Sequence, residues 1–514
     1  MKPEIHEGVV LTRPVIGTEM EWNTYIEGQE DNDTANDSQK NYRTQSLKNQ
    51  ILSNYMPGFH KVSGFMSNGG RCYADNCYAH FETCTPEDAS IRGTVANEIA
   101  AEQVLKDCLV RAQEAGLVRS FKMYKRVVGT TKIGWGYHEN YLFRSPYSAF
   151  SGGKKQTNMF HENIVNVLSA HLATRNIFAG AGCLMDEIHL GGDGHRMKFF
   201  LAQKALVLNE EKDAGTVGKK PLVNMRDEPH AKDYGRMHIT SGDANMLPGA
   251  TALKLGTTSI VLRLIEAQWP LKHLQFEPKT ALHVARQVAG DLTLKQTVQL
   301  ADGRSIRPID VQWALLEAAV QLNYQIGLSG EEEAMLEDWE RVLTDLEANN
   351  WPKLVDRVDW IARYMFLQAY LDRKNISLDD PRSIGLDLLW DSIDEQTSGG
   401  LRWRNQCLEE DIALRSLIEQ RKTHPPESTR AYVRGGLIGY AKQKANLNSV
   451  IWDKVHINIG GDGDGEMNQT YMIDLSDPYL SSEKKEFWDR FFQDMHNTNP
   501  NPSRWLGKDP IVVP

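Results

Sequence analysis

Residues 16–22 read Ile-Gly-Thr-Glu-Met-Glu-Trp and place two carboxylates, Glu19 and Glu21, two positions apart in a strand-like run. The flanking Val9, Val10, Leu11, Val15 and Ile16 are apolar and mostly β-branched, as strands favour. On a strand, residues i and i+2 share a face, so the carboxylates stand side by side on one sheet surface. They repel each other there, and a hard cation such as Mg²⁺ suits the oxygen pair. The chain is thereby steered toward an open sheet with one acidic face. Taken alone, the pair reads more simply as the solvated face of an edge strand.

At 514 residues the chain exceeds one simple core, so a large domain plus a smaller one is expected. Its net charge of −10 argues against nucleic-acid binding, which favours a basic excess. No apolar run approaches the roughly 20 residues of a membrane span. The N-terminus carries Glu4 and Glu7 and shows no secretory apolar segment. Six cysteines are few for this length and suggest a reduced, cytoplasmic protein. Cys72, Cys77, Cys84 and His80 lack the paired spacing of a zinc site, and free buried thiols are the better reading.

Helical periodicity is expected near 38–55, over 87–116, 156–176 and 248–267, and through most of 309–422. Strand-like segments lie at 121–128 and 196–208. Pro425-Pro426 interrupts the pattern. A helix at 428–443, strands at 455–459 and 470–474, and a helix at 482–495 follow. The division is a large domain over 1–425 and a small C-terminal α/β domain over 426–514. The segments do not alternate as βαβ units, so the class is α+β rather than a parallel doubly wound sheet. No phosphate loop or G-x-G-x-x-G turn is present. Asp462-Gly-Asp464-Gly has its glycine misplaced for a calcium loop and reads as a polar turn.

Further clusters carry potential chemistry. Asn68-Gly-Gly is a tight-turn signal that would launch a strand bearing Tyr73 and Asp75 on one face, with Glu82 close behind. His138-Glu139-Asn140 lies between aromatics, where polar groups are costly to bury without partners. Arg226, Asp227, Glu228, His230, Arg236 and His238 form a dense charged stretch, and arginine forks suit phosphate. Asp243 and Asn245 precede Lys254-Leu-Gly-Thr-Thr, and Thr429-Arg430-Ala-Tyr-Val-Arg434 opens the last segment. Salt-bridged loops, an exposed hairpin or a capped helix would each account for one cluster. Together they supply what Mg-ATP phosphoryl chemistry needs.

These motifs, in this order, resemble the family of the Pup ligase and the depupylase (deamidase of Pup). The carrying residues are Gly17-Thr-Glu-Met-Glu-Trp, Asn68-Gly-Gly-Arg-Cys-Tyr-Ala-Asp75, His138-Glu-Asn-Tyr-Leu, Asn224-Met-Arg-Asp-Glu-Pro-His230, Gly242-Asp-Ala-Asn and Thr429-Arg-Ala-Tyr-Val-Arg. The resemblance implies a carboxylate-amine ligase fold like that of glutamine synthetase: an antiparallel sheet cradle backed by helices, with ATP and Mg²⁺ in the cradle. It implies Glu19, Glu21, Glu82 and Glu139 as metal ligands and Asp75 as the catalytic aspartate. Arg226 would contact the γ-phosphate, with His238, Arg430 and Tyr73 near the nucleotide. The implied partners are a nucleotide and Pup or a Pup-like protein.

Where the family carries His-Pro-Glu-Tyr after the aspartate, this chain reads Asn76-Cys-Tyr-Ala-His80-Phe-Glu82-Thr. Gln203-Lys204 stands in place of Gln-Arg, and 148–160 and 177–195 look inserted. Gly242-Asp-Ala-Asn and Lys254-Leu-Gly-Thr-Thr are closer to the depupylase, whereas the tail is closer to the ligase. The expectation is a divergent depupylase-like hydrolase that uses Asp75 on a nucleotide phosphate or on an amide or isopeptide bond. The alternatives are a Pup–protein ligase acting through an acyl phosphate and a non-catalytic ATP-binding regulator.

Overall fold

Strict alternation in the first strand organises the molecule. In β1 (Ile16–Gly28), Ile16, Thr18, Met20 and Trp22 are buried, while Gly17, Glu19, Glu21 and Asn23 stay partly open. The computed structural model describes residues 11–28, 37–75, 80–129, 134–144, 149–151, 154–156, 162–216, 218–226, 228–444, 446–459, 469–495 and 511–512. The sequence features at Asn76–Ala79, Asp227 and Asp462–Asp464, and much of 148–160, lie outside these residues.

After helix α1 (Asp37–Tyr55), strands β2 (Arg71–Ala74) and β3 (Phe81–Cys84) form a hairpin-like pair. Gly69, in the turn before β2, has φ of 83°, which glycine adopts at no steric cost. Helix α2 (Ile91–Glu114) follows, capped by Ser90, whose hydroxyl accepts from the Gly93 amide at 3.0 Å. Then come β4 (Val118–Tyr124) and β5 (Tyr137–Phe143). Two short hairpins, β6 (Ala149–Ser151) with β7 (Lys154–Gln156) and β8 (Cys183–Asp186) with β9 (Met197–Phe200), flank α3 (Glu162–Thr174) and the single turn α4 (Asn176–Ala179). Strands β10 (Glu210–Asp213), β11 (Pro221–Asn224) and β12 (Gly235–Ile239) complete an eight-stranded sheet.

The sheet order is β10-β11-β12-β5-β1-β3-β2, with β4 pairing the far half of β1. All pairings are antiparallel except β10 with β11. This is the expected antiparallel cradle backed by helices. One face packs on α2 and α5 (Pro248–Glu266) in a core that includes Met20, Trp22, Tyr137, Tyr141 and Leu253. The helical region beyond 309 runs from Pro308–Ile326 to Ile412–Arg421. Among the described residues, no helix is long and apolar enough to cross a membrane.

The last segment holds α-helix Ala431–Lys444, a sheet of Asn446–Ile451, Lys454–Ile459, Gln469–Asp474 and Ile511–Val512, and helix Leu480–Met495. It buries its own apolar cluster of Val433, Leu437, Val455, Ile473 and Trp488, to which Phe65 is added from the large sheet's side. The strand expected at 196–208 ends at Phe200. Beyond it, Ala202 to Leu208 is a buried turn stapled by Asp243, which accepts the amides of Gln203 at 2.8 Å and Lys204 at 2.7 Å.

Candidate active site

Register decides which side chains meet on the open face. Glu19 pairs with Cys84 of β3 on one side and His138 of β5 on the other, and Glu21 pairs with Glu82. Glu82 also pairs with Tyr73 of β2, and Asn140 pairs with His238 of β12. Directly opposite residues share a face, so Glu19, Glu21, Glu82, Tyr73, His138, Asn140 and His238 line one surface. Asp75 follows β2 two positions after Tyr73, and its amide donates to the His80 carbonyl at 2.8 Å. The His80 Nε2 lies 3.3 Å from Glu21 and 3.7 Å from Asp75, joining the aspartate to the acidic pair.

The fourth expected metal ligand, Glu139, is not brought to this cluster. One residue along a strand reverses the face, and Glu139 pairs with Thr18 on the helix side, 0% exposed. Arg175 donates to its two oxygens at 2.5 and 2.9 Å, and the Tyr141 hydroxyl donates at 2.7 Å. Its lone pairs serve the core. The neighbouring His138 takes the open-face position instead, with Nδ1 3.1 Å from Glu19.

The electrostatics separate the carboxylates. Burial alone would raise Glu19, but the His138 hydrogen bond and the charges of His238, His138 and Arg236 outweigh it and hold the carboxyl far below its ordinary range. Glu21 is likewise held at about 2: burial is overcome by His80, His138 and the Gly136 amide. Glu82 moves the other way, pushed up to about 8 by burial and by the negative charges of Glu19, Glu21 and Asp75. Burial comes first among these causes, with the nearby anions adding to it. Glu19, Glu21 and Glu82 are oxygen donors of the kind a hard divalent cation prefers, although their carboxylates do not all lie within 4.8 Å of one another. Burial lowers His238 to about 3, against the pull of Glu19.

Cationic side chains line the other flank. Arg236 stands two residues from His238 on β12, with Nη1 3.7 Å from Glu19 and Nη2 3.8 Å from Glu228. Arg226 follows β11, 57% exposed, its backbone turned by an amide hydrogen bond to the Asn224 side chain at 2.8 Å. Arg430 is more committed than expected: it pairs with Glu87 at 2.7 Å and donates to the Leu475 carbonyl at 2.9 Å and to the His230 carbonyl. A cavity beside the cluster is lined by Gly17, Glu19, Asn140, Arg236, Arg430 and Trp452. The buried Lys204 donates to the Trp135 carbonyl at 2.9 Å and so braces the turn whose Gly136 amide reaches Glu21.

Sequence reasoning placed Arg236 in a phosphate-suited stretch and His138 in a polar cluster without a specific role for either, and assigned His80 and Lys204 no role in this site. Arg236 was findable from its i+2 spacing to His238, and His138 from the same parity once Glu139 is placed. His80 and Lys204 reach the site through loop folding, which leaves no periodic signal.

A family model described as Pup-ligase protein matches residues 9–456. The Pup–protein ligase of Acidimicrobium ferrooxidans is 31% identical over 427 residues, spanning 82% of this chain and 88% of its own length. That of Mycolicibacterium smegmatis is 30% identical over 400 residues, spanning 77% of this chain and 84% of its own. The fold matches the ligase PafA in its complex with the prokaryotic ubiquitin-like protein Pup, with a TM-score of 0.71 at 22% identity, covering 95% of this chain and 93% of that one. PafA in complex with ADP matches with a TM-score of 0.69 at 22% identity, covering 92% and 97%.

These relatives overturn the expectation of a depupylase-like hydrolase. The motifs that suggested it prove to be scaffold. Asp243 staples the loops at Ala181 and Gln203–Lys204, and Lys254 donates to Asn245 at 2.8 Å beneath the sheet. Residues buried in that layer hold the cradle's shape. The chain belongs to the Pup-ligase protein family.

Proposed function

We propose that this protein is an ATP- and Mg²⁺-dependent ligase that joins a glutamate carboxyl of Pup, or of a Pup-like protein, to a lysine amine of a target protein. The observation that carries the reading is the run of relatives about 30% identical over most of both chains, each a Pup–protein ligase. The ADP and Pup complexes of PafA, whose fold this chain shares, support the same substrates.

In this reading the γ-phosphoryl group of ATP passes to the carboxylate, ADP leaves, and a mixed acyl phosphate results. The lysine amine then attacks the acyl carbon, the C–O bond to phosphate breaks, and the amine gives up a proton. Asp75 accepts that proton, positioned by the backbone bond to His80 and facing Glu21 across the imidazole. Glu19, Glu21 and Glu82 would hold Mg²⁺, which would supply charge neutralisation at the phosphates. Arg226 and Arg236 bind phosphate oxygens from the opposite flank, and the cavity beside Trp452 receives the nucleoside. Tyr73, opposite Glu82, orients that carboxyl.

The test incubates the purified chain with ATP, Mg²⁺, a Pup-like protein ending in glutamate and a lysine-bearing acceptor. A covalent conjugate that requires ATP and is absent with Asp75→Asn is expected. ATP binding without any conjugate across Pup-like proteins and acceptors from the source organism would overturn the reading.

A further inference from the structure

We propose that a cavity outside the cradle, where the turn Lys204–Leu206 packs on the helix Ala281–Ala289, binds a small organic anion: a carboxylate or phosphate monoester carried on an apolar arm. The cavity has a volume of 560 Å³, and small-molecule sites run from about 300 to 1,000 Å³. Leu190, Phe200, Leu206 and Val207 form an apolar wall, and Lys220 and Arg286 bring two cations from separate elements. Among the described residues no carboxylate lines it, in a chain whose net charge is −10. None of its lining residues belongs to the acidic cluster or to the cavity beside Trp452.

Neither cation is neutralised by the protein. Among the described residues the Lys220 ammonium has no ion pair and no hydrogen-bond acceptor, and Arg286 donates to the Leu208 carbonyl but pairs with no carboxylate. Lys198, over the Phe200 ring at 5.2 Å, is paired with Glu187 and is not counted. Burial lowers Lys204 to about 8 against the pull of Glu21, and the like charge of Lys220 pushes the same way. The backbone gives a second, independent sign. Lys220 has φ of 42°, in the left-handed region where a side chain crowds its own backbone. Its amide donates to the Thr216 carbonyl at 3.2 Å, and its carbonyl accepts the Asn209 amide at 3.2 Å, so the surroundings hold the strain. Strain held in this way clusters at ligand sites.

The lining then selects the ligand. An arginine fork matches the oxygens of a carboxylate or phosphate in pairs, and lysine adds a point charge. The four apolar side chains opposite call for a hydrocarbon body. A bare inorganic ion would leave that wall against water, and a neutral apolar molecule would leave both cations uncompensated. The site stands on its own donors and goes beyond the ligase reading.

The full-length protein is titrated by calorimetry with octanoate and with octyl phosphate. Inorganic phosphate and octanol supply the head and the arm alone. One equivalent of octanoate or octyl phosphate should saturate below about 1 mM, with head or arm alone at least about tenfold weaker. The tighter of the two amphiphiles names the head group. Lys220→Gln and Arg286→Gln should each weaken it at least about tenfold, the scale of a charge-assisted hydrogen bond, while a melting curve shows the fold intact. Saturating Mg-ATP should not displace it. No saturable binding of either amphiphile, binding that both substitutions leave intact, or displacement by Mg-ATP overturns the site, and the wild-type titration needs no variant to fold. Conjugate formation is measured on the same wild-type sample. Its presence beside a failed anion result leaves the ligase reading standing, and its absence beside anion binding counts against that reading alone.

Discussion

The Arg434 guanidinium donates to the Gly69 carbonyl at 2.9 Å, joining the first helix of the C-terminal segment to the turn that launches β2. The same guanidinium donates to Glu87 and to the Trp452 carbonyl. Asp75 lies at the end of β2, so the aspartate's position depends on a residue far along the chain.

Removing one partner of a buried ion pair leaves an uncompensated charge and costs about 3–5 kcal/mol. Arg434→Ala should lose stability on that scale, read from the urea midpoint. It should also lower conjugate formation in the fraction that remains folded, since the turn before β2 is freed.

The partner carboxylate makes this clamp pH-dependent. Burial alone would raise Glu87, but Arg434 and Arg430 outweigh it and hold the group at about 2, against 4.5 for the free side chain. A depressed folded pKa stabilises fully above the unfolded value and is lost as pH falls through the folded one. At 1.36 kcal/mol per pKa unit, this contribution is about 3 kcal/mol, lost between about pH 4.5 and 2. Stability, read from denaturation at each pH, should fall more steeply across that window for wild type than for Glu87→Gln. Equal slopes would remove the clamp from the account.

Asp75→Asn should lower conjugate formation about 10²–10⁴-fold, the usual contribution of a general base. Nucleotide affinity, measured by calorimetry with Mg²⁺, should stay within about twofold on the same argument, because a base does not hold the ground-state nucleotide. A parallel fall in affinity would make Asp75 a metal or phosphate ligand.

Glu21→Gln removes one anion from a cluster in which Glu82 already keeps its proton. Its Mg-nucleotide affinity should fall at least about tenfold, or about 1.4 kcal/mol. Melting without nucleotide should hold steady, because the lost hydrogen bonds to His80 and Gly136 are offset by relief of repulsion. A collapse of the nucleotide-free protein would show Glu21 to be structural.

Glu139→Gln tests the opposite assignment. With Arg175 left buried and unpaired, stability should drop by about 3–5 kcal/mol. Mg-nucleotide affinity of the folded protein should not change, since Glu139 faces the helices. A selective loss of metal affinity at full stability would return Glu139 to the metal site.

The sequence alone determined what depends on local geometry. The i, i+2 spacing put Glu19 and Glu21 on one face, the Asn68-Gly-Gly turn set up Tyr73 and Asp75, and helical periodicity located α1, α2 and α5 to within a few residues, whereas the helix expected over 156–176 is α3 at 162–174, with Gln156 in β7. The motif order also carried the fold. Tertiary structure alone decided which of two adjacent residues faces the cradle. His138 and Glu139 differ by one position, and the register of β5 on β1 sends the first to the site and the second to Arg175. It also decided that His80 and Lys204 reach the cradle, that Arg430 is tied to Glu87, and that Asp243 and Lys254 are scaffold. The physical reason is the same in each case. Strand parity and helical period are properties of neighbouring residues, whereas strand pairing and buried-charge partners are settled by long-range burial, which no local pattern encodes.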